Sequence, residues 1–456
     1  MTKPSIPKGT RDFGPSDTAR RNFIFETIKK VFMLHGFSQI ETPAMENLST
    51  LLGKYGDEGD KLLFRILNSG DFLSDVPGDK RDNPDAVGLL PFVSDKGLRY
   101  DLTVPFARFV VQHQNEISFP FKRFQIQPVW RADRPQRGRY REFFQCDADV
   151  IGSDAIVNEF EMVQLVDEVF AQLGIEVTVH VNNRKILYGI AEVFGYANKF
   201  SEITVAIDKL DKTGRDKVKL ELTEKGVDEI TADRLLDMYC ENAETDQLLI
   251  SLEELFINSE TGRKGLSEIN ELLEYCNSGN LKTKVKPDVS LARGLNYYTG
   301  AIFEVKADKL AMGSICGGGR YDNLTGIFGL NGVSGVGISF GAERIFDIML
   351  QENLFPQNIE TPAKVLFVNF GKSEELHALR LISKLRHEGI SAVMYPDQAK
   401  MKKQIQYADD SHIPFIAMMG EDEIARQQVG IKNLKTGEQQ TIDSKNLVEF
   451  FKLHLV

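Results

Sequence analysis

The sequence has few cysteines and no paired arrangement of them. Four cysteines occur in 456 residues, and no two form a CxxC pair. The seven histidines form neither an HExxH motif nor a cluster with cysteines. We therefore expect no disulfide framework and no structural zinc site, and we predict that side chains alone hold no metal ion.

Long hydrophobic runs are also missing. No uninterrupted apolar stretch approaches the roughly 18 residues that span a bilayer. The opening residues, MTKPSIPKGTRDFGPSD, lack the apolar core of a signal peptide. These absences predict a cytoplasmic protein without a membrane segment. A hydrophobic content of 42% and a charged content of 27% are ordinary for a globular protein with packed cores.

Positive charge is the minority sign, since 55 Lys+Arg against 66 Asp+Glu give a net charge of −11. This balance disfavours non-specific nucleic-acid binding over the whole surface, but a local basic site stays open. Five arginines nevertheless gather in WRADRPQRGRYREFFQCDAD, residues 130–149. A guanidinium group binds phosphate oxygens in a bidentate way and stays charged at any working pH, so the cluster suits phosphate recognition.

The arginine cluster lies on a predicted β-hairpin, with strands in KRFQIQPVWRAD and REFFQCDADVIG and a glycine in the turn between them. The hairpin would place Arg131 and Arg139 on one surface, and Phe143 would offer a flat face to a base. The alternative is a solvated hairpin whose arginines pair with Asp133 and Glu142. On the local pattern alone, both interpretations stay open.

Two later stretches combine glycine with arginine. GVSGVGISFGAERI does not fit the dinucleotide-binding fingerprint, because its glycines follow GxGxxxG. Glycines in a strand more often mark a close approach by backbone or ligand. Arg344, which follows them, is either a ligand contact or a surface residue. In LARGLNYYTGAIFEV, Arg293 precedes Tyr297 and Tyr298, which either line a site or face opposite sides of a sheet.

LRYDLTVPFARF carries an acid and a hydroxyl group two residues apart, Asp101 and Thr103. At strand spacing they would share one face and could hold an ammonium group. Alternatively, they cap a helix that starts near Val104.

Periodicity organises the rest of the chain. Helices are predicted near residues 17–34 and 154–173, and residues 68–97, rich in Gly, Pro and Asp, are predicted as a long loop. Residues 195–287 indicate a charged, helical insertion without a chemical motif. After residue 363, alternating strands and helices predict a C-terminal α/β domain with a largely parallel sheet.

The order of these motifs resembles the class II aminoacyl-tRNA synthetases. An extended segment with a proline (IETP), an arginine hairpin and a glycine-rich strand that leads into a helix with Glu343 and Arg344 are similar to the three motifs of that class. Within the class, KGTRDFGP, RYDLTVPFAR, LARGLNYYTG and GGGRYDNL resemble the histidyl-tRNA synthetase family. Where that family commonly has Arg-Gly-Leu-Asp-Tyr-Tyr, this chain has Asn296, an amide without charge.

The resemblance implies an α+β fold. It comprises a class II antiparallel β-sheet catalytic domain with helices, a helical insertion and a C-terminal α/β anticodon-binding domain. The implied boundaries are 1–194 for the first catalytic part with motifs 1 and 2, 195–287 for the insertion, 288–355 for the second catalytic part with motif 3, and 363–456 for the anticodon-binding domain.

The resemblance also implies an activity. The chain would activate histidine with ATP to histidyl-adenylate and pyrophosphate, and then transfer histidine to the 3′ end of tRNA(His). ATP is a substrate, and Mg²⁺ is expected to bind mainly through its phosphates. The implied partners are histidine, ATP, tRNA(His) and a second copy of the chain in a homodimer, with no membrane.

Carried over residue by residue, the resemblance assigns the ATP contacts. Arg131 and Arg293 are the implied catalytic residues and approach the α-phosphate from two sides. Phe143 would stack on adenine, while Arg139 and Arg344 would hold the outer phosphates. Charge gathers on the equatorial oxygens during adenylate formation, so pre-placed cations should dominate catalysis.

The remaining assignments concern histidine and tRNA. The implied contacts of the histidine ammonium group are Asp101, Thr103 and Gln145. The implied contacts of the imidazole ring are Asp149 and Tyr298, with Tyr297 adjacent. The implied tRNA contacts are Arg134 and Arg137 at the acceptor end, and Lys402 and Lys403 in the C-terminal domain, where a solvated charged face is the alternative.

Three rival functions follow from the same motifs. A catalytically inactive, synthetase-like regulatory subunit of histidine biosynthesis would share the fold, but such proteins typically lack the C-terminal domain and the full arginine set. Another class II synthetase, of prolyl, threonyl or glycyl type, is disfavoured by ARGLNYYTG. A nucleic-acid-binding module without catalysis is the third.

Overall fold

A computed structural model describes residues 3–53, 61–82, 85–135, 138–240, 245–292, 297–310, 312–356, 359 and 363–455. Its backbone contacts divide the chain into two units. One unit comprises Met1–Phe13 and Arg21–Leu354, and the other comprises Gly14–Arg20 and Phe355–Val456. None of the helices within the described ranges combines the length and apolar character needed to cross a membrane.

The first unit contains eleven described strands, numbered here in chain order. They are β1 (Ser38–Gln39), β2 (Met45–Asn47), β3 (Phe64–Ile66), β4 (Lys96–Leu98), β5 (Phe121–Trp130), β6 (Glu142–Ile151), β7 (Val177–Asn183), β8 (Lys284–Pro287), β9 (Ala301–Ala307), β10 (Ser314–Tyr321) and β11 (Gly335–Gly341). Eight of them form one sheet in the order β1-β5-β6-β11-β10-β9-β7-β8. The two outer pairs are parallel and the inner pairs antiparallel.

The predicted hairpin and the predicted mixed fold are both confirmed. Strands β5 and β6 pair in antiparallel register, with Arg123 opposite Asp149 and Gln127 opposite Gln145. Helices surround the sheet, as an α+β fold requires. Those of the first unit are Pro15–Leu34 (shared with the second), Leu48–Leu51, Gly78–Asp82, Ala86–Val93, Thr103–Gln112, Val157–Leu173, Arg184–Val193, Phe200–Ile207, Leu210–Thr213, Arg215–Glu224, Glu229–Cys240, Thr245–Leu255, Glu260–Ser278 and Ala342–Gln351.

Strand alternation separates an apolar face of the large sheet from a polar one. On β6, three buried residues, Cys146, Ala148 and Val150, alternate with Gln145, Asp147 and Asp149. The apolar face packs aromatic rings at centroid distances of 5.5–5.7 Å, contributed by Phe32, Phe124, Phe170 and Phe340. The hydrophobic core therefore packs against the apolar face of the sheet, whereas the opposite face carries polar residues and glycines.

The prediction of a long loop at 68–97 is wrong. Its described residues contain the helices Gly78–Asp82 and Ala86–Val93, and β4 pairs with both β2 and β3 in a small antiparallel sheet. The segment carries many turn residues, but its strand is completed by partners from distant parts of the chain. The predicted helical insertion is mostly helical, although its last residues form β8, which pairs with β7.

The second unit contains the predicted C-terminal α/β alternation. Its strands are β12 (Val365–Phe367), β13 (Ala392–Met394), β14 (Phe415–Met418), β15 (Gln428–Asn433) and β16 (Gln439–Asp443), in the order β13-β12-β14-β15-β16. Its helices are Lys372–His387, Met401–Asp410, Glu421–Ala425 and Leu447–His454. The first three strands in that order are parallel, as predicted, but β15 and β16 extend the sheet in antiparallel fashion.

Candidate active site

Two adjoining cavities lie over the polar face of the large sheet. The arginine cleft, of about 200 Å³, is lined by Arg131, Asp133, Gly138, Arg139, Tyr140, Phe143, Gln145, Ser314, Ile315, Cys316, Gly317, Ser339, Gly341, Glu343 and Arg344. The acidic pocket, of about 90 Å³, is lined by Asp101, Thr103, Arg131, Gln145, Asp147, Asp149, Tyr297, Tyr298, Gly317, Gly318, Tyr321, Gly337, Ile338 and Ser339. Four residues belong to both linings, so the two cavities meet at Arg131, Gln145, Gly317 and Ser339.

Glycines in the strands beneath the acidic pocket leave space for the side chains that line it. A β-carbon at Gly337 would lie 2.0 Å from Oδ1 of Asp149, and one at Gly319 would lie 2.9 Å from the ring of Tyr298. Both distances are too short for any side chain. The strand glycines therefore mark a close approach between neighbouring groups, as their pattern predicted, rather than a dinucleotide loop.

The arginine cleft fixes two guanidinium groups through main-chain carbonyls. Nε of Arg131 donates to the carbonyl of Tyr100 at 2.9 Å, and its guanidinium carbon lies 5.1 Å from the centroid of the Phe143 ring. Arg344 donates to the carbonyls of Gly138 and Ser314. Because a carbonyl holds Arg131 without neutralising it, the positive charge of Arg131 is available to an anion in the cleft.

Arg139 lies at the open side of the same cleft. Its side chain is 51% exposed, and its Nε is 3.9 Å from Oδ2 of Asp133. The solvated-hairpin alternative therefore describes part of what this residue does. Glu142, the other acid of that alternative, instead accepts a hydrogen bond of 2.6 Å from the indole of Trp130.

Sequence reasoning missed a charged cluster at one wall of the cleft. Glu343 accepts hydrogen bonds from both Arg11 and Arg21, and Arg11 stacks over the ring of Tyr140 at 3.5 Å. Two cations on one carboxylate leave the wall without net negative charge. The signal in the sequence was KGTRDFGP, which contributes Arg11 to the cluster.

The acidic pocket is built around Asp149, which is 3% exposed. Nη2 of Arg123 lies 2.7 Å from its Oδ2, and the hydroxyl of Tyr321 donates to its Oδ1 at 2.6 Å. Burial raises the pKa of Asp149, whereas Arg123 and the Tyr321 hydrogen bond lower it. Neither Arg123 nor Tyr321 was predicted to take part in the site.

Asp147 is a second buried carboxyl group in this pocket. Burial raises its pKa to about 7, against the opposing effect of Arg123 and with a further increase from Asp149. Next to it on β6, Gln145 donates from Nε2 to the hydroxyl of Ser339 at 2.9 Å. Oε1 of Gln145 and Oδ1 of Asp147 are buried without a hydrogen-bond partner among the described residues. Such acceptors suit a ligand that brings its own donors.

The two tyrosines do not face opposite sides of a strand, because β9 begins only at Ala301. The rings of Tyr297 and Tyr298 are 4.6 Å apart, and both line the acidic pocket. Burial raises the pKa of both hydroxyls, so they are neutral and able to donate at physiological pH.

Asp101 and Thr103 also line the acidic pocket, although no strand brings them together. The helix that follows begins at Thr103, and its N-cap residue, Leu102, makes no side-chain cap. The prediction of strand spacing was therefore wrong for this segment, while the placement of both side chains at one site is observed.

Five predicted contacts lie outside the two cavities or outside the described residues. Arg134 is exposed and lines neither cavity, and Lys402 and Lys403 are exposed on the helix Met401–Asp410 of the second unit. Arg137 and Arg293, as well as the unusual Asn296, lie outside the described residues. Within the described part of the chain, no group of three or more His, Cys, Asp or Glu residues could hold a metal ion.

Comparison with known proteins identifies the family. The family model described as histidyl-tRNA synthetase matches residues 94–345, and that of an anticodon binding domain matches 364–454. The chain is similar to the histidine–tRNA ligase of Phocaeicola vulgatus, with 54% identity and 99% of each chain covered. It is also similar to that of Porphyromonas gingivalis, with 56% identity and 97% of each covered.

Solved structures agree with this assignment. The histidyl-tRNA synthetase from Nostoc sp. PCC 7120 superimposes with a TM-score of 0.83 at 29% identity, covering 100% of both chains. A protein of Bacillus halodurans, described as an ATP phosphoribosyltransferase regulatory subunit/histidyl-tRNA synthetase, has a TM-score of 0.71 at 21% identity, covers 92% of this chain and 100% of its own, and shows the fold alone. Family models, relatives and the shared fold lead to one conclusion: the chain belongs to the histidyl-tRNA synthetase family.

Proposed function

We propose that the chain activates histidine with ATP and then transfers it to tRNA(His). In the first step the histidine carboxylate attacks the α-phosphorus of ATP, and pyrophosphate leaves. In the second step a hydroxyl group at the 3′ end of the tRNA attacks the carbonyl carbon of the adenylate, and AMP leaves. Relatives named histidine–tRNA ligase, at more than half identity over nearly the full length, support this function.

One observation carries the proposal: the arginine cleft and the acidic pocket meet at Arg131. The cleft suits a polyphosphate, and the pocket suits a cationic, hydrogen-bonding amino acid. With ATP in the arginine cleft and histidine in the acidic pocket, the α-phosphate of ATP and the carboxylate of histidine would meet at the boundary between the two cavities. Positioning of this kind is what an in-line displacement requires.

In the cleft, Arg131 would neutralise charge that develops on the α-phosphate. Phe143 would stack on adenine, and Arg139 and Arg344 would hold the outer phosphates. Arg293 stays a prediction from the family motif, as the second cation at the α-phosphate. Magnesium would enter as a complex with ATP, since the carboxylate of Glu343 is already engaged by two arginines.

In the acidic pocket, the donors and acceptors match a histidine side chain. Asp149 would accept from one imidazole nitrogen, and Tyr298 would donate to the other. Asp101, Thr103 and Gln145 would hold the ammonium group, and the unpartnered Oε1 of Gln145 supports that role. A pocket with such buried polar groups disfavours amino acids whose side chains leave these groups unpaired. The ratio of kcat/KM for histidine to that for such an amino acid can reach ~10⁴.

The remaining parts of the proposal concern the whole assembly. Residues 1–194 and 288–355 would form the catalytic domain, 195–287 the insertion and 363–456 the anticodon-binding domain. Arg134 and Arg137 would meet the acceptor end of the tRNA, and Lys402 and Lys403 the anticodon side. We also propose that the enzyme is a homodimer and works in the cytoplasm, where its tRNA is used.

The test is histidine-dependent exchange of pyrophosphate into ATP, measured with each of the twenty amino acids. Histidine alone should support exchange, and purified tRNA(His) should then accept it. Exchange with another amino acid would refute the assigned specificity. No exchange with any would favour the regulatory alternative, which the cleft arginines and the 364–454 match argue against.

A further inference from the structure

We propose that Asp147 is an additional histidine-binding residue whose carboxylate pairs with the α-ammonium group of the substrate. The inference rests on the proposed function and extends it to a residue for which the family resemblance supplied no role. It follows from the position of Asp147 in the acidic pocket, from the contacts of its neighbours and from a deficit of positive charge around it.

Asp147 occupies the middle of the pocket face of β6. It lies between Gln145 and Asp149, and it pairs in register with Gln125 on β5 and with Ser339 on β11. Successive residues on one face of a strand are about 7 Å apart. A histidine that reached from Gln145 to Asp149 would therefore pass directly over the carboxylate of Asp147.

The charges around Asp147 do not balance without a ligand. Arg123, a buried cation on the neighbouring strand β5, lies 2.7 Å from Asp149. The carboxyl group of Asp147 is hydrogen-bonded by Ser339, but its Oδ1 has no hydrogen-bond partner among the residues described. The charged or titratable groups that influence Asp147, or are influenced by it, are Arg123, Asp149, Asp101, Arg99, Cys146, Cys316 and Tyr298. The carboxylates of Asp149 and Asp101 add negative charge around Asp147, so a cation from the substrate would balance the charge of the pocket.

The α-ammonium group fits this position better than the imidazole ring. A neutral ring needs one acceptor and one donor, and Asp149 and Tyr298 already provide them. An ammonium group has three donors and no acceptor, so it can use several carboxylate and amide oxygens at once. Gln145 and Asp147, successive residues on the pocket face of β6, each carry such an oxygen.

Proton linkage gives the contact a measurable signature. Burial raises the pKa of Asp147 to about 7, so the free protein holds a proton there part of the time at neutral pH. An ammonium group favours the ionised carboxylate, lowers its pKa and expels that proton. Histidine should therefore bind more weakly as the pH falls through 7, with release of a proton on binding.

The experiment compares two histidine analogues as competitive inhibitors of pyrophosphate exchange. Histidinol keeps the ammonium group, whereas imidazolepropionate lacks it and keeps the ring. In Asp147→Asn, histidine and histidinol should bind about tenfold or more weakly, because a charged hydrogen bond is lost. Imidazolepropionate and ATP should bind as before. Asp167→Asn, a buried carboxylate outside both cavities, is the matched control.

Other outcomes overturn the inference. Unchanged affinity for histidinol would show that Asp147 does not contact the ammonium group, and equal weakening of both analogues would assign it to the ring or to structure. Absence of histidine-dependent exchange in the unmodified protein would instead refute the proposed function.

A second measurement needs no variant. Calorimetry of the unmodified protein in two buffers with different ionisation enthalpies counts the protons released. The proton that each ring releases on binding is subtracted with the ring pKa titrated for each free analogue. At pH 7 histidinol should then release about half a proton more than imidazolepropionate. An equal proton count for the two analogues would contradict the proposal, whether or not Asp147→Asn folds.

Discussion

Nη2 of Arg123 lies 2.7 Å from Oδ2 of Asp149, and the antiparallel register of β5 and β6 places the two residues directly opposite each other. Both side chains are buried. A carboxyl group at such depth would tend to hold its proton, but the adjacent cation and the hydroxyl of Tyr321 favour the charged form. The charge of Asp149 in the acidic pocket thus depends on two residues that need not touch the substrate.

Tyr321→Phe tests this dependence through pH. Loss of the 2.6 Å hydrogen bond should raise the pKa of Asp149 further, because that bond favours the ionised carboxylate. The acidic limb of kcat/KM for histidine should move to higher pH, and KM for histidine at pH 7 should rise by about tenfold. Tyr239→Phe, at a buried tyrosine outside both cavities, is the control. An unshifted profile would contradict the role given to Tyr321.

Arg131→Ala should lower the rate of histidine-dependent pyrophosphate exchange by on the order of a hundredfold or more, since a pre-placed cation at developing charge is removed. Melting temperature should change little, because the guanidinium makes its hydrogen bond to one main-chain carbonyl. Arg426→Ala, at an exposed arginine of the second unit, is the control. Exchange at the unmodified rate would remove Arg131 from the mechanism. Arg293→Ala should behave in the same way.

Tyr298→Phe should raise KM for histidine far more than KM for ATP, because the variant keeps the ring but loses the proposed donor to the imidazole. Steady-state exchange kinetics with each substrate varied in turn measure both constants. Tyr297→Phe is the contrasting variant and should have a smaller effect on histidine. Equal changes in the two KM values would contradict the assignment of Tyr298 to the pocket.

Gly337→Ala should both destabilise the protein and weaken histidine binding. The added β-carbon would lie 2.0 Å from Oδ1 of Asp149, so the strand or the carboxylate must move. We expect a loss of about 1–3 kcal/mol in the free energy of unfolding, measured by urea denaturation. Gly78→Ala meets open space and should leave stability and KM unchanged. If Gly337→Ala left both the free energy of unfolding and KM for histidine unchanged, the space next to Asp149 would have to be large enough for a β-carbon.

Replacing Lys402 and Lys403 by alanine should weaken tRNA binding and charging while pyrophosphate exchange stays unchanged. Each lost phosphate contact should reduce the slope of log affinity against log salt by about one. Lys445→Ala, at a lysine that is 77% exposed in the same unit, is the control. Charging kinetics identical to those of the unmodified protein would assign these lysines to a solvated face.

Local sequence patterns predicted the elements that carry their own signal. The arginine hairpin, the long helix Val157–Leu173 and the first strands and helices of the second unit were predicted because periodicity and turn residues are local properties. The segment 68–97 was mistaken for a loop, since β4 exists only through its pairing with β2 and β3. The β15–β16 hairpin was likewise not predicted.

The candidate site likewise contains residues that the sequence predicted and residues that only the folded chain brings to it. Family motifs pointed to ten described residues that line the two cavities, from Asp101 to Arg344. They assigned no role to Arg123, Asp147 or Tyr321, because nothing in a local window indicates that residues 123, 149 and 321 converge. Strand register and sheet order bring them together.

Residue types and their order along the chain specify the chemical groups of the site: arginines for phosphate, glycines where groups approach closely, alternating strands, and the motif order of the family. Packing of the folded chain, by contrast, sets which carboxyl groups are buried, which cation faces which acid, and that the two cavities share Arg131. The physical reason is that residue type sets what a side chain can donate, accept or carry as charge. Its effective charge and partners depend on desolvation and distance, and these arise only when remote strands pack.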